Sequence, residues 1–377
     1  MRTRLRQISG CVAALTLLVA ALAIAQDDQK PEPAPKVMRF IKRALAWYPD
    51  SQFELVSNAK FLTPSGSYRF VEVARVCASR LLTGKPTMLV DDVANTIWLG
   101  SVGELPPFQQ AGASPEALRN FLSQFLPEAL NASMGLKVEL VWDAGPRRPG
   151  ALIPFYLMVD SGYGKYQRRA AVTADGKYLV MASEMPLDED PVAYRRRLLA
   201  NSGFVVWDIG NGKETVEIIE FSDLECPACK GKWPIIDMVV QKHAGKIRHG
   251  MVSYPIVSIH PWAFRAASAS WCVTLQDPHA MIPFKETFYA LQREMEVSLV
   301  TPTAVDFIAG QGLDEEAFRE CYLRPPSIDA VHRQLGLGNT MGVNATPTYF
   351  VNGWRIQVPD GAWFPAFVER LMNGEEP

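Results

Sequence analysis

Cys226 and Cys229 are separated by two residues in the stretch ECPACK, where a strand-forming run is followed by a helical one. Cysteines at this spacing suit three kinds of chemistry: half of a metal site, a structural cross-link, or a pair that makes and breaks disulfides. A zinc site needs two further ligands at close spacing. The chain has no second Cys-x-x-Cys pair, and His243 and His249 lie on either side of a glycine. The sequence therefore predicts no metal site.

The position of the pair at the start of a predicted helix favours redox chemistry. There the sulfur of Cys226 would face free N–H groups and the positive end of the helix dipole, which favour the nucleophilic thiolate. Pro227 suits the first helical turn because it needs no N–H partner there. Cys229 lies one turn further in and is expected to be the more buried, resolving thiol. We predict that Cys226 and Cys229 form a redox-active disulfide.

Two stretches far apart in the chain support this interpretation. EFSDLECPACK, followed downstream by NATPTYFVNG, resembles the thioredoxin superfamily, and specifically its DsbA-like branch of exported thiol-disulfide oxidoreductases. The resemblance covers about residues 204–375. It implies a buried acid at Glu220, a proline inside the active-site helix at Pro234, and a cis-proline loop at Thr346 and Pro347. It implies no cofactor.

The resemblance also implies which residues do the chemistry and which bind the client protein. The implied catalytic residues are Cys226, Cys229, Glu220 and Pro347. The implied substrate-binding residues are Thr346, Pro347, Pro227 and Ala228.

Glu220 and Pro347 each have a plainer interpretation. Glu220 follows the strand-forming run TVEII, and it could be an exposed strand residue. If it is buried there, its pKa is expected to be raised, so that it could shuttle protons during thiol exchange. Pro347 could be an ordinary trans proline in a turn. The resemblance implies a cis bond, which is uncommon even before proline.

The dipeptide between the cysteines differs from that of the strongest oxidants in the DsbA-like branch. Those proteins carry Pro-His, whose imidazole helps to stabilise the thiolate, whereas this chain carries Ala228 after Pro227. We therefore expect a milder oxidant, because the redox potential follows thiolate stabilisation. The direction of the reaction stays open between an oxidase and an isomerase or reductase of the DsbC/DsbG type. A holdase-like chaperone with an incidental redox pair is a further alternative.

The remaining cysteines lie outside this motif. Cys272 and Cys321 fall on the apolar sides of predicted helices, and in an exported protein they are predicted to form a structural disulfide. The alternative is two buried free thiols that behave as small hydrophobic residues. Cys77 is interpreted as a core residue of the first domain.

The N-terminus has the composition of a secretory signal. Three arginines precede the apolar stretch VAALTLLVAALA, and Ala23-Ile24-Ala25 is a small-x-small cleavage pattern. We interpret residues 1–25 as a signal peptide and the proline-rich residues 26–36 as a disordered linker. The mature protein is expected to be periplasmic or otherwise extracytoplasmic.

The rest of the chain divides by its pattern of strands and helices. Residues 37–187 are rich in strand patterns with one clear helix, which predicts a mixed α+β domain. Residues 188–203 predict a connecting helix. Residues 204–377 alternate strand and helix, which predicts an α/β domain, with a helical insertion at about 260–340. A short stretch ending near residue 190 resembles the dimerisation domains of DsbC and DsbG, which implies a homodimer or client binding.

Charge and composition limit the partners. The formal net charge is −2, and no Lys/Arg run is longer than three residues, so a nucleic-acid partner is not expected. The expected partners are unfolded or misoxidised exported proteins and a membrane redox partner.

Overall fold

The computed structural model describes most of the chain beyond the N-terminus. The described residues are 35–49, 51–63, 66–77, 80–84, 87–91, 94–106, 114–135, 137–143, 152–357 and 359–377. The predicted signal peptide at 1–25 and most of the predicted linker at 26–36 lie outside these ranges. Among the described helices, none combines the length and the apolar character needed to cross a membrane.

The described part of the chain contains two groups of strands. The strands are β1 (Ser51–Thr63), β2 (Gly66–Cys77), β3 (Arg80–Gly84), β4 (Thr87–Asp91), β5 (Thr96–Glu104), β6 (Val138–Trp142), β7 (Ile153–Asp160), β8 (Lys165–Val172), β9 (Tyr178–Pro186), β10 (Val206–Ile209), β11 (Val216–Ser222), β12 (Ile247–Ser253), β13 (Thr348–Val351) and β14 (Trp354–Ile356).

Helices lie before, between and after these strands. The α-helices are α1 (Pro35–Ala44), α2 (Pro115–Met134), α3 (Pro191–Asn201), α4 (Pro227–Lys242), α5 (Ala263–Gln276), α6 (Met281–Leu291), α7 (Val300–Gln311), α8 (Glu315–Cys321), α9 (Pro325–Thr340) and α10 (Phe364–Met372).

The N-terminal half is built on one antiparallel sheet in the order β1-β2-β4-β5-β9-β8-β7-β6, with β3 paired to β2. Alternate residues of β7 are buried, as expected for a strand with one face in the core. The helix α2 covers this core with leucines four residues apart, Leu118, Leu122, Leu126 and Leu130. Ser114 caps α2 by accepting a hydrogen bond from the Ala117 N–H at 3.2 Å. The predicted α+β, strand-rich domain is confirmed.

The helix α1 begins slightly earlier than the sequence pattern indicates. Pro35 is its first residue, so α1 overlaps the predicted linker by two residues. The physical reason is that proline suits the first helical turn, where no N–H partner is needed. Phe40 and Ile41 then pack on β4, β5 and β9.

The C-terminal half is built on a five-stranded sheet in the order β10-β12-β11-β13-β14. The pair β11 and β12 is parallel, whereas β13 lies antiparallel to β11. Five helices, α5 to α9, come between β12 and β13, where the helical insertion is predicted. The predicted α/β, thioredoxin-like fold with a helical insertion is confirmed for this half of the chain.

The helix α3 lies at the predicted connecting position and packs into both halves. Val192 and Leu199 are buried in clusters of the C-terminal half. Arg195 is 1% exposed and donates hydrogen bonds to the backbone carbonyls of Arg43 and Ala44, at the end of α1. The connecting helix therefore fastens the two halves to each other.

Candidate active site at the start of the cysteine helix

Cys226 is the residue that precedes α4, and Pro227 occupies the first helical position. The strand β11 ends at Ser222, so the chain passes from the centre of the sheet to the helix in four residues. Cys226 is 6% exposed and Cys229 is fully buried, and both are free thiols in the structure. Pro234 lies inside α4, as the resemblance implies.

Hydrogen bonds to the sulfur lower the pKa of the Cys226 thiol to about 5. The largest contribution comes from the Cys229 thiol, and burial opposes it. The Thr346 side chain and the backbone N–H groups of Cys229 and Ala228 contribute further. Cys226 is therefore a thiolate at neutral pH, which is the reactive form of cysteine.

Cys229 has the opposite character. Burial raises its pKa well above the usual value, and the neighbouring Cys226 sulfur and Glu220 carboxylate add to that effect. At neutral pH the pair consists of a thiolate at Cys226, which is 6% exposed, and a fully buried thiol at Cys229. This asymmetry suits Cys226 as the attacking sulfur and Cys229 as the resolving sulfur.

Glu220 is fully buried in β11, but the prediction that its pKa is raised is wrong. Burial alone would raise the pKa, yet the Lys285 ammonium and His249 outweigh it and lower the value to about 2. Lys285 Nζ lies 3.3 Å from Glu220 Oε2 and 3.2 Å from the centroid of the Trp233 ring. Glu220 is therefore a carboxylate at neutral pH, paired with a buried cation.

A second buried pair extends this network. His249 Nε2 lies 3.6 Å from Glu220 Oε2, and His249 Nδ1 lies 2.7 Å from Asp208 Oδ1. The Asp208 carboxylate raises the pKa of His249, although burial opposes this. The chain of Lys285, Glu220, His249 and Asp208 joins α6 to three adjacent strands beneath the cysteines.

The loop that faces the cysteines contains a cis peptide bond between Thr346 and Pro347. Cys226 Sγ lies 3.4 Å from the backbone carbonyl oxygen of Thr346, to which it can donate only when it is protonated. Both Thr346 and Pro347 are buried, whereas Pro227 and Ala228 are exposed beside Cys226. The structure thus brings the predicted catalytic and substrate-binding residues to one place, and their roles stay predictions.

Two acids of the loop before α4 fix the neighbouring loop between β12 and α5. Asp223 Oδ2 accepts hydrogen bonds from the Ile256 N–H at 2.8 Å and from His260 Nδ1 at 2.6 Å. Glu225 Oε2 accepts the Trp262 N–H at 2.7 Å. The Asp223 hydrogen bond raises the pKa of His260, and the negative charge of Cys226 adds to this effect.

Cys272 and Cys321 form a disulfide that joins α5 to the end of α8. The alternative of two free thiols is therefore not what the structure contains. Cys77 ends β2, and its side chain lies outside the part of the chain whose side chains are described. Within the described residues, no cluster of three or more His, Cys, Asp or Glu side chains could hold a metal ion.

Sequence reasoning missed the partners that surround the two sulfurs and Glu220. Lys285 lies inside a helix of the insertion, where its only signal was a lysine in the apolar run MIPFKETFYAL. His249 and Asp208 face each other across β10 and β12, and no local pattern links them. Asp223 lies in the quoted motif and was not singled out.

Comparisons with known proteins agree with this geometry. Residues 205–367 match the family model described as thioredoxin, so the C-terminal half of the chain is a thioredoxin-family domain. The resemblance predicted for this half is thereby confirmed, whereas the similarity of the N-terminal half to DsbC and DsbG dimerisation domains stays a prediction.

Curated relatives match the chain in part. Disulfide bond formation protein D of Bacillus subtilis (strain 168) is 30% identical over 149 residues, which cover 38% of this chain and 66% of that protein. Na(+)/H(+) antiporter NhaA 1 of Mycolicibacterium gilvum (strain PYR-GCK) is 30% identical over 167 residues, covering 44% of this chain. The match spans 25% of that antiporter's length.

Two solved structures match about half of the chain at low identity. ScsC of Proteus mirabilis in a transitional conformation has a TM-score of 0.41 at 16% identity, covering 49% of this chain and 80% of that one. Alpha-DsbA1 of Wolbachia pipientis has a TM-score of 0.41 at 17% identity, covering 48% of this chain and 96% of that one.

Proposed function

We propose that this protein is a thiol-disulfide oxidoreductase that forms or exchanges disulfide bonds in exported proteins. The observation that carries the proposal is the contrast between Cys226, whose pKa is lowered to about 5, and the buried Cys229, whose pKa is raised. Strongly shifted pKa values of neighbouring thiols are typical of a site that reacts in a fixed order.

The same geometry supports a stepwise reaction. In the reducing direction, the Cys226 thiolate attacks a client disulfide, forms a mixed disulfide and releases one client thiolate. Cys229 then loses its proton and attacks Cys226, which closes the Cys226–Cys229 disulfide and releases the second client thiolate. Two electrons pass from the protein to the client. Oxidation of a client is the reverse sequence, starting from the Cys226–Cys229 disulfide.

Ala228 supports a mild oxidant, because it leaves no imidazole within the dipeptide. An isomerase or reductase of the DsbC/DsbG type is the second candidate within the same chemistry. An oxidase and an isomerase differ in the resting state of Cys226 and Cys229. In an oxidase, an upstream membrane partner keeps the two cysteines as a disulfide. In an isomerase, they must be kept as a dithiol. The measured potential of the Cys226/Cys229 couple separates them.

The proposal includes an extracytoplasmic location, with unfolded or misoxidised exported proteins as clients. It is supported by the signal-like N-terminus and by the Cys272–Cys321 disulfide, since structural disulfides persist in oxidising compartments. A homodimer through the N-terminal domain is part of the proposal. Among the described strands, β6 lies at an edge of the N-terminal sheet and leaves Val141 49% exposed, which supports it.

Two cysteine variants test the activity. Cys226→Ser is expected to reduce oxidation of a peptide dithiol, and repair of a scrambled disulfide protein, to the uncatalysed rate. Cys229→Ser is expected to accumulate a mixed disulfide with the client, visible by intact mass and removed by dithiothreitol. Cys77→Ser is the matched control outside the site. Full activity in folded Cys226→Ser would overturn the proposal and favour the holdase alternative.

A further inference from the structure

A cavity of about 270 Å³ lies where the N-terminal sheet, α3 and β14 meet. Four arginines line it: Arg168, Arg169, Arg195 and Arg355. None of the described residues that line it is an aspartate or a glutamate. The lining is therefore positive, and among the described residues Glu184 supplies a counter-charge from outside the lining by pairing with Arg169.

Arg195 is the most informative of these residues. It is 1% exposed, its only described hydrogen bonds go to the neutral backbone carbonyls of Arg43 and Ala44, and its Nε has no hydrogen-bond partner. No described carboxylate lies within ion-pair distance of it. The Arg195 guanidinium carbon lies 5.6 Å from the centroid of the Phe350 ring, which contributes no negative charge. A buried charge without a counter-ion is strongly unfavourable, so an arginine in this position indicates a missing anion.

Neighbouring charges reinforce this conclusion. Burial lowers the pKa of Arg195 to about 9, and the positive charge of Arg355 adds to this effect. Asp190 opposes it and makes the smallest contribution of the three. Arg169 already has an ion-pair partner in Glu184 at 2.8 Å. The charge that faces a ligand therefore comes chiefly from Arg168 and Arg195, and Arg355 adds to the positive potential.

We propose that this cavity binds a small anion that bears carboxylate or phosphate groups, held by the guanidinium groups of Arg168 and Arg195. Guanidinium groups bind both kinds of oxyanion through paired hydrogen bonds. The ligand is a small molecule, because the cavity volume of about 270 Å³ is close to the lower end of the range for small-molecule pockets, about 300–1,000 Å³. Junctions between folded units are a preferred place for such sites.

The position of the cavity connects it to the candidate active site. Its lining includes Val343 and Asn344, which lead directly into the loop of Thr346 and Pro347. Asn344 Oδ1 accepts a hydrogen bond from Arg355 Nη2 at 3.1 Å. An anion in the cavity would therefore bind both halves of the chain within a few residues of the loop that contacts Cys226.

The site is tested with the full mature chain, using inorganic phosphate and citrate as probes and KCl at equal ionic strength as the reference. At about 100 times its dissociation constant, the bound anion is expected to raise the thermal midpoint by about 3 °C or more beyond the KCl reference. Calorimetric titration is expected to give one site per chain. A response to phosphate alone or to citrate alone identifies the group that the natural ligand bears.

Three variants locate the site. Arg168→Gln is expected to weaken binding about tenfold or more, because it removes a charged hydrogen-bond donor. Arg195→Met is expected to abolish the response, measured as the shift from its own anion-free midpoint, because it also removes the hydrogen bonds to the Arg43 and Ala44 carbonyls. Arg293→Gln, which removes an exposed arginine elsewhere, is the matched control and is expected to bind normally. The proposal is overturned if neither anion exceeds KCl, or if Arg168→Gln binds as tightly as the unmodified chain.

Discussion

At the scale of single residues, the thiolate of Cys226 has a source of stabilisation that its dipeptide lacks. Ala228 supplies no charge, but His260, from the loop before α5, is held by Asp223 at 2.6 Å. The pKa of His260 is raised by Asp223 and also by the charge of Cys226, so the imidazolium and the thiolate favour each other. His260 therefore supplies positive charge near Cys226 from outside the motif, which works against the mild potential expected from Ala228 alone.

The first prediction concerns this pair of charges. Replacing His260 with Gln removes the cation, so the Cys226 thiolate is expected to titrate at a higher pH than in the unmodified chain, where the pKa is about 5. The titration is followed by thiolate absorbance at 240 nm. His243→Gln, at the far end of α4, is the control. An unchanged midpoint in His260→Gln would show that hydrogen bonds alone stabilise the thiolate.

The second prediction concerns the buried cation beneath the cysteines. Lys285→Met leaves the Glu220 carboxylate without its ammonium partner, so the free energy of unfolding at pH 7 is expected to fall by about 3–5 kcal/mol. Without Lys285, burial pushes the pKa of Glu220 upward, and His249 is left as the main opposing group. The loss should therefore shrink as the pH falls and Glu220 becomes protonated.

Urea unfolding at pH 7 and pH 5 measures this loss. Lys213→Met, which removes an exposed lysine, is the control and is expected to change stability little. Adding Glu220→Gln to Lys285→Met is expected to recover much of the loss, because the buried charge is then gone. Equal losses in Lys285→Met and Lys213→Met would contradict the ion pair.

At the scale of elements, the sequence predicts what is local and misses what is distant. The start of α4 at Pro227 follows from proline chemistry and a change of pattern within ten residues. The burial of Glu220 also follows from its strand. Its pKa does not, because Lys285 lies 65 residues later, in another helix. The order of strands in both sheets likewise depends on pairings between distant segments, which no single pattern contains.

The third prediction concerns the disulfide that joins two helices of the insertion. Cys272 and Cys321 are 49 residues apart, and closing a loop of this length in the unfolded chain is worth about 4 kcal/mol in the chain-entropy description. Replacing both with Ala is expected to lower the free energy of unfolding by about 2–4 kcal/mol. The variant and its reference protein both carry Cys226→Ala and Cys229→Ala, so that they differ only in the Cys272–Cys321 disulfide. A loss below about 1 kcal/mol would show that packing alone fixes α5 and α8.

At the scale of the whole molecule, α3 determines how the two halves are joined. One side of the helix supplies Val192 and Leu199 to the C-terminal half, while Arg195 reaches the end of α1 and lines the arginine-rich cavity. A side chain at Gly353 would collide with the backbone of Val192, so the turn between β13 and β14 packs closely on the helix. The helix therefore belongs to the core of the thioredoxin-family domain and to the junction at once.

The fourth prediction follows from this double role. A fragment of residues 188–377 keeps Val192 and Leu199, whereas a fragment that begins at residue 204 lacks them and exposes the apolar surface they cover. The shorter fragment is expected to be less stable by at least about 3 kcal/mol, since each of the two buried side chains contributes about 1.5–3 kcal/mol.

Urea unfolding of both fragments, with the cysteine pair reduced, measures this difference. Leu199→Ala in the longer fragment is the matched control and is expected to lose about 2–5 kcal/mol by itself. Equal stability of the two fragments would mean that α3 only links the halves. A less stable shorter fragment would place the boundary of the thioredoxin-family domain before α3, ahead of residue 205, where the family match begins.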